Sequence, residues 1–165
     1  MVNLVRTTSD HPDFQELVRH LDAELRVRDG DEAAFYLQFN KIDTIKHALV
    51  AYVDSEPVGC GALRAYEANT VEVKRMFVPL ERRGQGIASE ILKGLETWAA
   101  ELGFRKCILE TGHKQPEAIA LYTKNGYAVI PNYGQYQSVE NSVCFEKVIV
   151  DRETYAFLAS KPLSA

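Results

Sequence analysis

The chain has 165 residues, a formal net charge of −4 at pH 7, 46% hydrophobic residues and 25% charged residues. This size and balance are typical of one soluble globular domain with a substantial core, so we expect residues 1–165 to form a single domain. The weak net acidity excludes a general attraction to nucleic acid or to anionic membranes, and any anion-binding site must be built locally. We therefore expect no nucleic-acid or membrane partner.

The cysteines and histidines indicate neither a disulfide framework nor a metal site. The three cysteines are widely spaced without a C-x-x-C pair, and the four histidines show no metal-ligand spacing. We expect reduced, buried thiols and no metal. The N-terminus has no basic stretch followed by an apolar run, and no segment approaches the length of a membrane span, so we expect a cytoplasmic protein.

The first elements are a strand and a helix. Alternation in "VNLVRT" predicts the strand, and "SDHPDF" predicts a helix start with Ser9 or Asp10 as N-cap and Pro12 in the first turn. The apolar residues that follow at helical spacing are Phe14, Leu17, Val18, Leu21 and Leu25. "RDGDE" ends this helix, and a second short helix is predicted around 33–39, which gives a helical pair.

The middle of the chain predicts an antiparallel meander. "HALVAYVD", "PVGCGALRAYE" and "NTVEVKRMFV" are β-type runs separated by short polar turns. Further along, "KCILET" is predicted as a buried strand, "QPEAIALYTKNG" as a helix that Gly126 ends, and "YAVI" and "SVCFEKVIV" as the last strands. The polar segment "PNYGQYQSVENS" is predicted as a loop. The sequence does not decide whether residues 151–165 form a final helical turn or a frayed tail.

Between the meander and "KCILET" lies "FVPLERRGQGIASEILKGLETWAAELGF", which predicts a helix from about Gln85 to just before Gly103. Its apolar stripe consists of Ile87, Ala88, Ile91, Leu92, Leu95, Trp98, Ala99 and Leu102. The glycines and arginines of this segment stand at the helix start, where they contribute nothing to a core.

This helix start has the features of an anion-binding site. The first amide groups of a helix have no internal partner, and the helix dipole places partial positive charge there. Gly84 and Gly86 let an anion approach the backbone, and Arg82 and Arg83 are expected to add charge at the rim. The sequence therefore predicts a phosphate-binding loop.

Two well-known phosphate loops fit less well. A nucleoside-triphosphate loop requires a lysine after the last glycine, and "GQGIAS" has none. A dinucleotide loop is imitated by Gly84, Gly86 and Ser89, with Glu110 as a ribose acceptor at the end of the next strand. Against that reading, the loop leaves an antiparallel meander, "PLERR" is long for the tight turn, and the chain lacks the remaining parallel strands.

"RRGQGIA" resembles the R/Q-x-x-G-x-G/A signature of the GCN5-related N-acetyltransferase (GNAT) family, with Arg83, Gly86 and Ala88 on its defining positions. "VEVKRMFV" looks like the fourth strand of that family, "CILET" like its fifth, and "AIALYTKNGYAVI" like the following helix and strand. The resemblance covers Lys46–Val150 well and the N-terminal helices by order of elements alone.

The resemblance implies an α/β fold (α+β) with a mixed, mostly antiparallel central sheet of about six to seven strands and helices on both faces. It also implies an N-acetyltransferase, with acetyl-CoA as co-substrate and no metal, that acts on a primary amine of a small molecule or peptide. The amine would attack the thioester directly in a ternary complex, so no cysteine nucleophile is required. A homodimer is left open.

The coenzyme-binding residues that the resemblance implies are Met76, Phe77, Val78, Arg83, Gly84, Gln85, Gly86, Ile87, Ala88 and Ser89. In the family the fourth and fifth strands separate at their ends, and the pantetheine arm lies in the gap like an added strand. Main-chain groups of Met76 and Val78 would pair with that arm, and the amide of Met76 or Phe77 would lie near the thioester carbonyl. The loop amides would hold the pyrophosphate.

The catalytic residues are also implied by the resemblance. Tyr122 in "ALYTKNGY" matches the family tyrosine near the coenzyme sulfur, where it would protonate the thiolate. Glu72 is the candidate base that deprotonates the amine, and Glu110 is the second candidate. Strand alternation predicts that Glu72, Lys74, Met76 and Val78 share one face of the sheet, unless a bulge intervenes.

The acceptor would lie between the N-terminal helices and the loop before the last strand. Candidate contacts there are Glu24, Arg26, Arg28, Asp29, Asp31, Tyr36, Tyr133, Tyr136 and Asn141. The arginines suit a carboxylate, the acids suit a polyamine or a lysine side chain, and the sequence does not choose. A non-catalytic acyl-CoA sensor and a dinucleotide-binding module stay open as other functions.

Overall fold

The computed structural model describes residues 1–30 and 45–161. The second helix predicted around 33–39, together with Asp31 and Tyr36, lies outside these residues. The elements are β1 (Asn3–Thr7), α1 (Pro12–Asp29), β2 (His47–Val53), β3 (Glu56–Glu67), β4 (Thr70–Phe77), α2 (Ile87–Glu101), β5 (Lys106–Gly112), α3 (Pro116–Lys124), β6 (Ala128–Ile130), β7 (Ser142–Val148) and α4 (Arg152–Ala159).

The strands form one seven-stranded sheet in the order β1-β2-β3-β4-β5-β7-β6. Neighbouring strands run antiparallel except for β4 and β5, which are parallel. The meander of β2, β3 and β4 is confirmed, and so is the mixed, mostly antiparallel sheet. The last strand, β7, enters between β5 and β6, so the chain returns to the interior of the sheet at its end.

Helices cover both faces of the sheet, as predicted. On one face, Phe14 and Leu17 of α1 pack in a buried apolar cluster with Val50 of β2 and Phe77 of β4. On the other face, buried residues of α2 and α3 share a second cluster with the sheet; this cluster includes Ile91, Leu95 and Tyr122. The sheet therefore separates two cores.

The start of α1 differs from the prediction. Its N-cap is His11, whose Nδ1 accepts a hydrogen bond from the Asp13 amide at 3.1 Å, and neither Ser9 nor Asp10 takes that role. The reason is Pro12, because a proline forces the preceding residue into the extended conformation that an N-cap requires. Ser9 is buried and donates its amide to the Ile45 carbonyl at 3.1 Å.

Residues 151–165, which the sequence left undecided, include helix α4. Asp151 caps it by accepting a hydrogen bond from the Thr154 amide at 2.8 Å. Across residues 1–30 and 45–161, no helix is long and apolar enough to cross a membrane.

Strand β4 separates from β5 after one short contact. Among the described residues, the two strands pair only between Thr70–Glu72 and Lys106–Ile108. Strand β5 continues to Gly112 in register with β7, whereas β4 continues in register with β3. A gap therefore opens between β4 and β5, and beyond Glu72 the edge of β4 that faces it pairs with no strand of the described part of the chain.

A β-bulge in β4 lies at this gap. Cys60 of β3 pairs with Phe77, but Ala62 pairs with Lys74, so β4 has one residue more than its partner strand. Arg75 lies inside the bulge with φ of +59°, in the left-handed region that a non-glycine residue seldom adopts.

The bulge makes the predicted face of β4 wrong. Lys74 pairs across from Ala62, which belongs to the cluster on the α1 face, and Glu72 shares that parity. Met76 and Val78 instead pack with the cluster on the α2 face. The extra residue shifts the alternation by one, so Glu72 and Lys74 lie on the opposite face from Met76 and Val78.

Candidate functional site

The site begins at the loop before α2. Gly84 and Gly86 have φ of +78° and +80°, and nothing lies within 4 Å of the position that a Cβ would occupy on either one. Gly86 is the N-cap of α2, and no side chain of the described residues caps the helix. The first amide groups of α2 are thus left for a ligand, and the helix dipole favours an anion there.

A cleft of about 400 Å³ extends from this loop along the end of β4. It is bounded by α1, the loop and α3, and its lining includes nine of the ten residues predicted to bind coenzyme: Met76, Phe77, Val78, Arg83, Gly84, Gly86, Ile87, Ala88 and Ser89. The tenth, Gln85, is exposed and lies outside the lining. The structure therefore brings the loop and the gap between β4 and β5 into one continuous space.

The two arginines of the loop bind protein carboxylates. The Nη2 of Arg83 donates to both carboxylate oxygens of Glu24 in α1, at 2.9 and 2.8 Å. Its Nε–H donates to the Val78 carbonyl at 2.8 Å. Arg82 pairs with Glu56. The sequence had predicted that both guanidinium groups add charge for the ligand. Because both are paired with protein carboxylates, the backbone amides are the remaining groups of the loop that suit an anion.

Glu24 and Arg28 belong to this first cleft. Glu24 also accepts from Arg28 at 3.2 Å, and Arg28 pairs with Glu117 of α3. The chain of charges from Arg83 to Glu117 therefore connects the loop, α1 and α3. The sequence had placed Glu24 and Arg28 with the acceptor, but in the structure they line the first cleft near the loop before α2.

Tyr122 of α3 lies at the inner end of the cleft. It is 6% exposed, and its ring packs against Tyr127 and Phe145, with centroids 5.8 Å apart in both cases. Burial, and then the negative charge of Glu110, raises the pKa of Tyr122. The hydroxyl therefore stays protonated at neutral pH and is available as a donor.

A second cavity, of about 90 Å³, adjoins the cleft. Its lining is Leu21, Leu25, Glu72, Val73, Lys74, Arg75, Met76, Glu110, Gln115, Tyr122 and Tyr136. Leu21, Leu25, Met76, Gln115 and Tyr122 line both spaces, so the two are contiguous. Two carboxylates and two cationic side chains face this small volume.

Glu72 is held in the second cavity by two contacts. It is 5% exposed, accepts a hydrogen bond from the Tyr133 hydroxyl at 2.5 Å, and lies 3.7 Å from the Lys74 ammonium. Burial, followed by the charge of Glu72, raises the pKa of Tyr133, so that hydroxyl remains a donor. Both contacts fix the position of the Glu72 carboxyl group in the cavity.

Glu110, the second candidate base, is held from the other side of the cavity. It accepts a hydrogen bond from the Ser142 hydroxyl of β7 at 2.8 Å. Tyr136, which the sequence had placed near the acceptor, also lines this cavity and is buried. The structure therefore brings Tyr122, Glu72 and Glu110 around one space, although they come from three different elements.

Two functional features were missed from the sequence. Arg75 was not singled out, because only the bulge turns it towards α1 and the second cavity. Tyr133 was placed in the acceptor loop, but its bond to Glu72 joins residues 61 positions apart. Within residues 1–30 and 45–161, no group of three or more His, Cys, Asp and Glu side chains is arranged to hold a metal ion.

Comparisons with known proteins agree with this architecture. The model of the acetyltransferase (GNAT) family matches residues 14–127. An IAA acetyltransferase of Azospirillum brasilense is 40% identical over 100 residues, which are 60% of this chain and 65% of that protein. The matched region is thus slightly less than two thirds of that relative's length.

Two solved structures share the fold. An acyl-CoA N-acyltransferase structure from Klebsiella pneumoniae superposes with a TM-score of 0.76 at 29% identity and covers 90% of this chain and 98% of that one. A GNAT family acetyltransferase from Elizabethkingia anophelis, solved with acetyl-CoA bound, gives a TM-score of 0.63 at 17% identity, with coverage of 89% and 97%. At that identity the second likeness concerns the fold alone.

The three cysteines are buried free thiols, and we predict that none reacts in the folded protein. Burial raises the pKa of Cys60 and Cys107 to about 12 and that of Cys144 to about 11. At pH 8 the thiolate is then about one part in a thousand or less of each thiol. A disulfide reagent should label no thiol in the native protein and all three after denaturation. Fast labelling of one thiol would contradict this inertness.

Proposed function

The chain belongs to the acetyltransferase (GNAT) family, and we propose that it transfers the acetyl group of acetyl-CoA to a primary amine of a small molecule or peptide. The observation on which this depends is the uncapped start of α2, which opens into a cleft leading to the gap between β4 and β5. The acetyl-CoA bound to the Elizabethkingia structure of the same fold supports the choice of co-substrate.

The residues present fit this co-substrate. The pyrophosphate suits the first amide groups of α2, where Gly84 and Gly86 leave the backbone accessible. The pantetheine arm suits the free edge of β4, where main-chain groups of Met76 and Val78 would pair with it in the manner of an added strand. Arg83 positions this edge, since it holds the Val78 carbonyl while it binds Glu24.

Acetyl-CoA supplies a thioester, whose carbonyl carbon forms the new C–N bond with the amine as the C–S bond breaks. The amine must first lose a proton, because an ammonium has no lone pair with which to attack. Glu72 accepts that proton in our proposal, since Tyr133 and Lys74 hold its carboxyl group in the cavity that Tyr122 also lines. Tyr122 donates to the departing sulfur, and the amide of Met76 or Phe77 stabilises the oxyanion.

We predict that acetyl-CoA, and not NAD, stabilises the protein against thermal unfolding. At about a hundred times the dissociation constant, binding adds about 2.7 kcal/mol to the free energy of unfolding. Gly86→Ala should lose most of this ligand-dependent shift, because the new methyl group stands where the anion approaches. Gly103→Ala is the matched control: its φ of +93° imposes comparable strain at the far end of α2, away from the cleft. Stabilisation by NAD alone would assign the loop to a dinucleotide.

We predict that Tyr122→Phe lowers kcat at least tenfold and leaves the affinity for acetyl-CoA nearly unchanged, because it removes a proton donor and keeps the ring. Thiol release in the presence of an amine measures this. Tyr127→Phe is the control, since Tyr127 is also buried and donates to Glu96 at 3.0 Å, but lies outside the lining of both cavities. Coenzyme binding with no turnover by the wild type would favour an acyl-CoA sensor.

We predict that Glu72→Gln lowers kcat/KM about a hundredfold or more at neutral pH. Glutamine keeps the shape and can still accept the Tyr133 bond, but it cannot take a proton. Glu110→Gln, at the other carboxylate of the same cavity, should cost less than tenfold. The opposite ranking of these two variants would transfer the role of base to Glu110.

A further inference from the structure

We propose that the acceptor is an amino carboxylic acid and that Arg75 and Lys74 bind its carboxylate in the second cavity. This inference rests on the proposed transfer function, since it names the acceptor class of the same site. It depends on the bulge in β4, which places two neighbouring cationic side chains on the cavity that contains the candidate base.

Arg75 is the stronger part of this subsite. Its residue is 7% exposed, its backbone is in the left-handed region, and it lines the second cavity. A residue other than glycine is strained in that conformation, and the surrounding structure must offset the strain. The strained position keeps a guanidinium in the interior, where an arginine needs partners for its N–H groups.

The guanidinium of Arg75 is held by Asp22 of α1. The terminal nitrogens of Arg75 bind Asp22 of α1, at 2.9 and 3.4 Å, but the buried Nε has no hydrogen-bond partner among the described residues. Asp22 fixes the guanidinium at the wall of the cavity, so its positive charge can attract a ligand carboxylate there.

Lys74 supplies a second positive charge beside the Arg75 guanidinium. It is 8% exposed and lies 3.7 Å from Glu72. Burial lowers the pKa of Lys74, and the nearby charge of Glu72 opposes that shift. A carboxylate bound on the same side would favour the ammonium form further, so the ligand and the lysine stabilise each other.

The charges of the cavity suit a molecule that has both an amine and a carboxylate. Glu72 and Glu110 suit the amine, and Tyr122 and Met76 connect that region with the first cleft. A diamine or polyamine would place a second ammonium against Lys74 and Arg75, where like charges repel. A lysine side chain of a peptide brings no carboxylate to Lys74 and Arg75.

The arginines of α1 that the sequence favoured for a carboxylate are less suited to this role. Arg28 is paired with Glu24 and Glu117, at the coenzyme end of the site. Arg26 is exposed and lines neither cavity. The structure thus moves the expected carboxylate contact from α1 to the bulge of β4.

The test measures thiol release from acetyl-CoA with amino acids and their decarboxylated amines in matched pairs: alanine and ethylamine, phenylalanine and phenethylamine, lysine and cadaverine. We expect kcat/KM for at least one amino acid to exceed that of its amine at least tenfold. An α-amino group loses its proton more readily than an alkylamine. The decisive quantity is therefore the ratio of kcat/KM for the amino acid to kcat/KM for its amine, compared between protein variants. The difference in amine basicity is the same for every variant, so it cancels in that comparison.

In Lys74→Met, which keeps the length of the side chain, the ratio should fall at least tenfold, as expected for the loss of one hydrogen bond to a charged group. Arg75→Asn should reduce the ratio too, since asparagine tolerates the left-handed conformation. If the loss of the Asp22 pair unfolds that variant, Lys74→Met alone decides. Arg26→Gln is the control, and its ratio should equal that of the wild type.

Three results would overturn the acceptor class. The first is faster turnover of the plain amines, the second is an unchanged ratio in Lys74→Met, and the third is a fall in Arg26→Gln instead. In each case thiol release continues, and the transfer function stands. If neither the amino acids nor the plain amines release thiol while acetyl-CoA still stabilises the fold, the acceptor class is wrong and the result favours an acyl-CoA sensor. Without that stabilisation, the proposed coenzyme site fails as well.

Discussion

The site depends on the point at which β4 leaves β5. The two strands pair over Thr70–Glu72 and then separate, while β3 keeps β4 in the sheet through a register with one extra residue. This separation gives β4 a free edge in the interior of a sheet, where backbone groups would normally be paired. Backbone groups at such an edge need water or a ligand to pair with, and the proposed coenzyme site depends on this gap.

The loop before α2 and helix α1 are both joined to the end of β4 at that gap. Because Arg83 binds Glu24 and the Val78 carbonyl, the end of β4, the loop and α1 form one unit. The loop arginines are thus used for internal structure, and the proposed phosphate site depends on the dipole and first amides of α2. A site built this way positions the backbone accurately and has little long-range attraction, in keeping with the weakly acidic chain.

Periodicity and turn chemistry predicted those elements that depend on residues close together in the sequence. The meander, the helix after the glycine loop and the helix that ends near Gly126 agree with the structure to within a few residues. The N-cap of α1 was wrong because Pro12 constrains His11 more strongly than Ser9 or Asp10 compete for the cap. The face of Glu72 relative to Met76 was wrong because a bulge shifts alternation without a sequence signal of its own.

By itself, the sequence determined the order of the elements and the glycine-rich start of α2, since these follow from spacing along one chain. Only the tertiary structure decided which groups meet. Side-chain hydrogen bonds join Tyr133 to Glu72, Arg75 to Asp22 and Arg83 to Glu24. The two residues of each pair are more than 50 positions apart in the sequence. Such contacts depend on how strands and helices pack, and local periodicity contains no information about that packing.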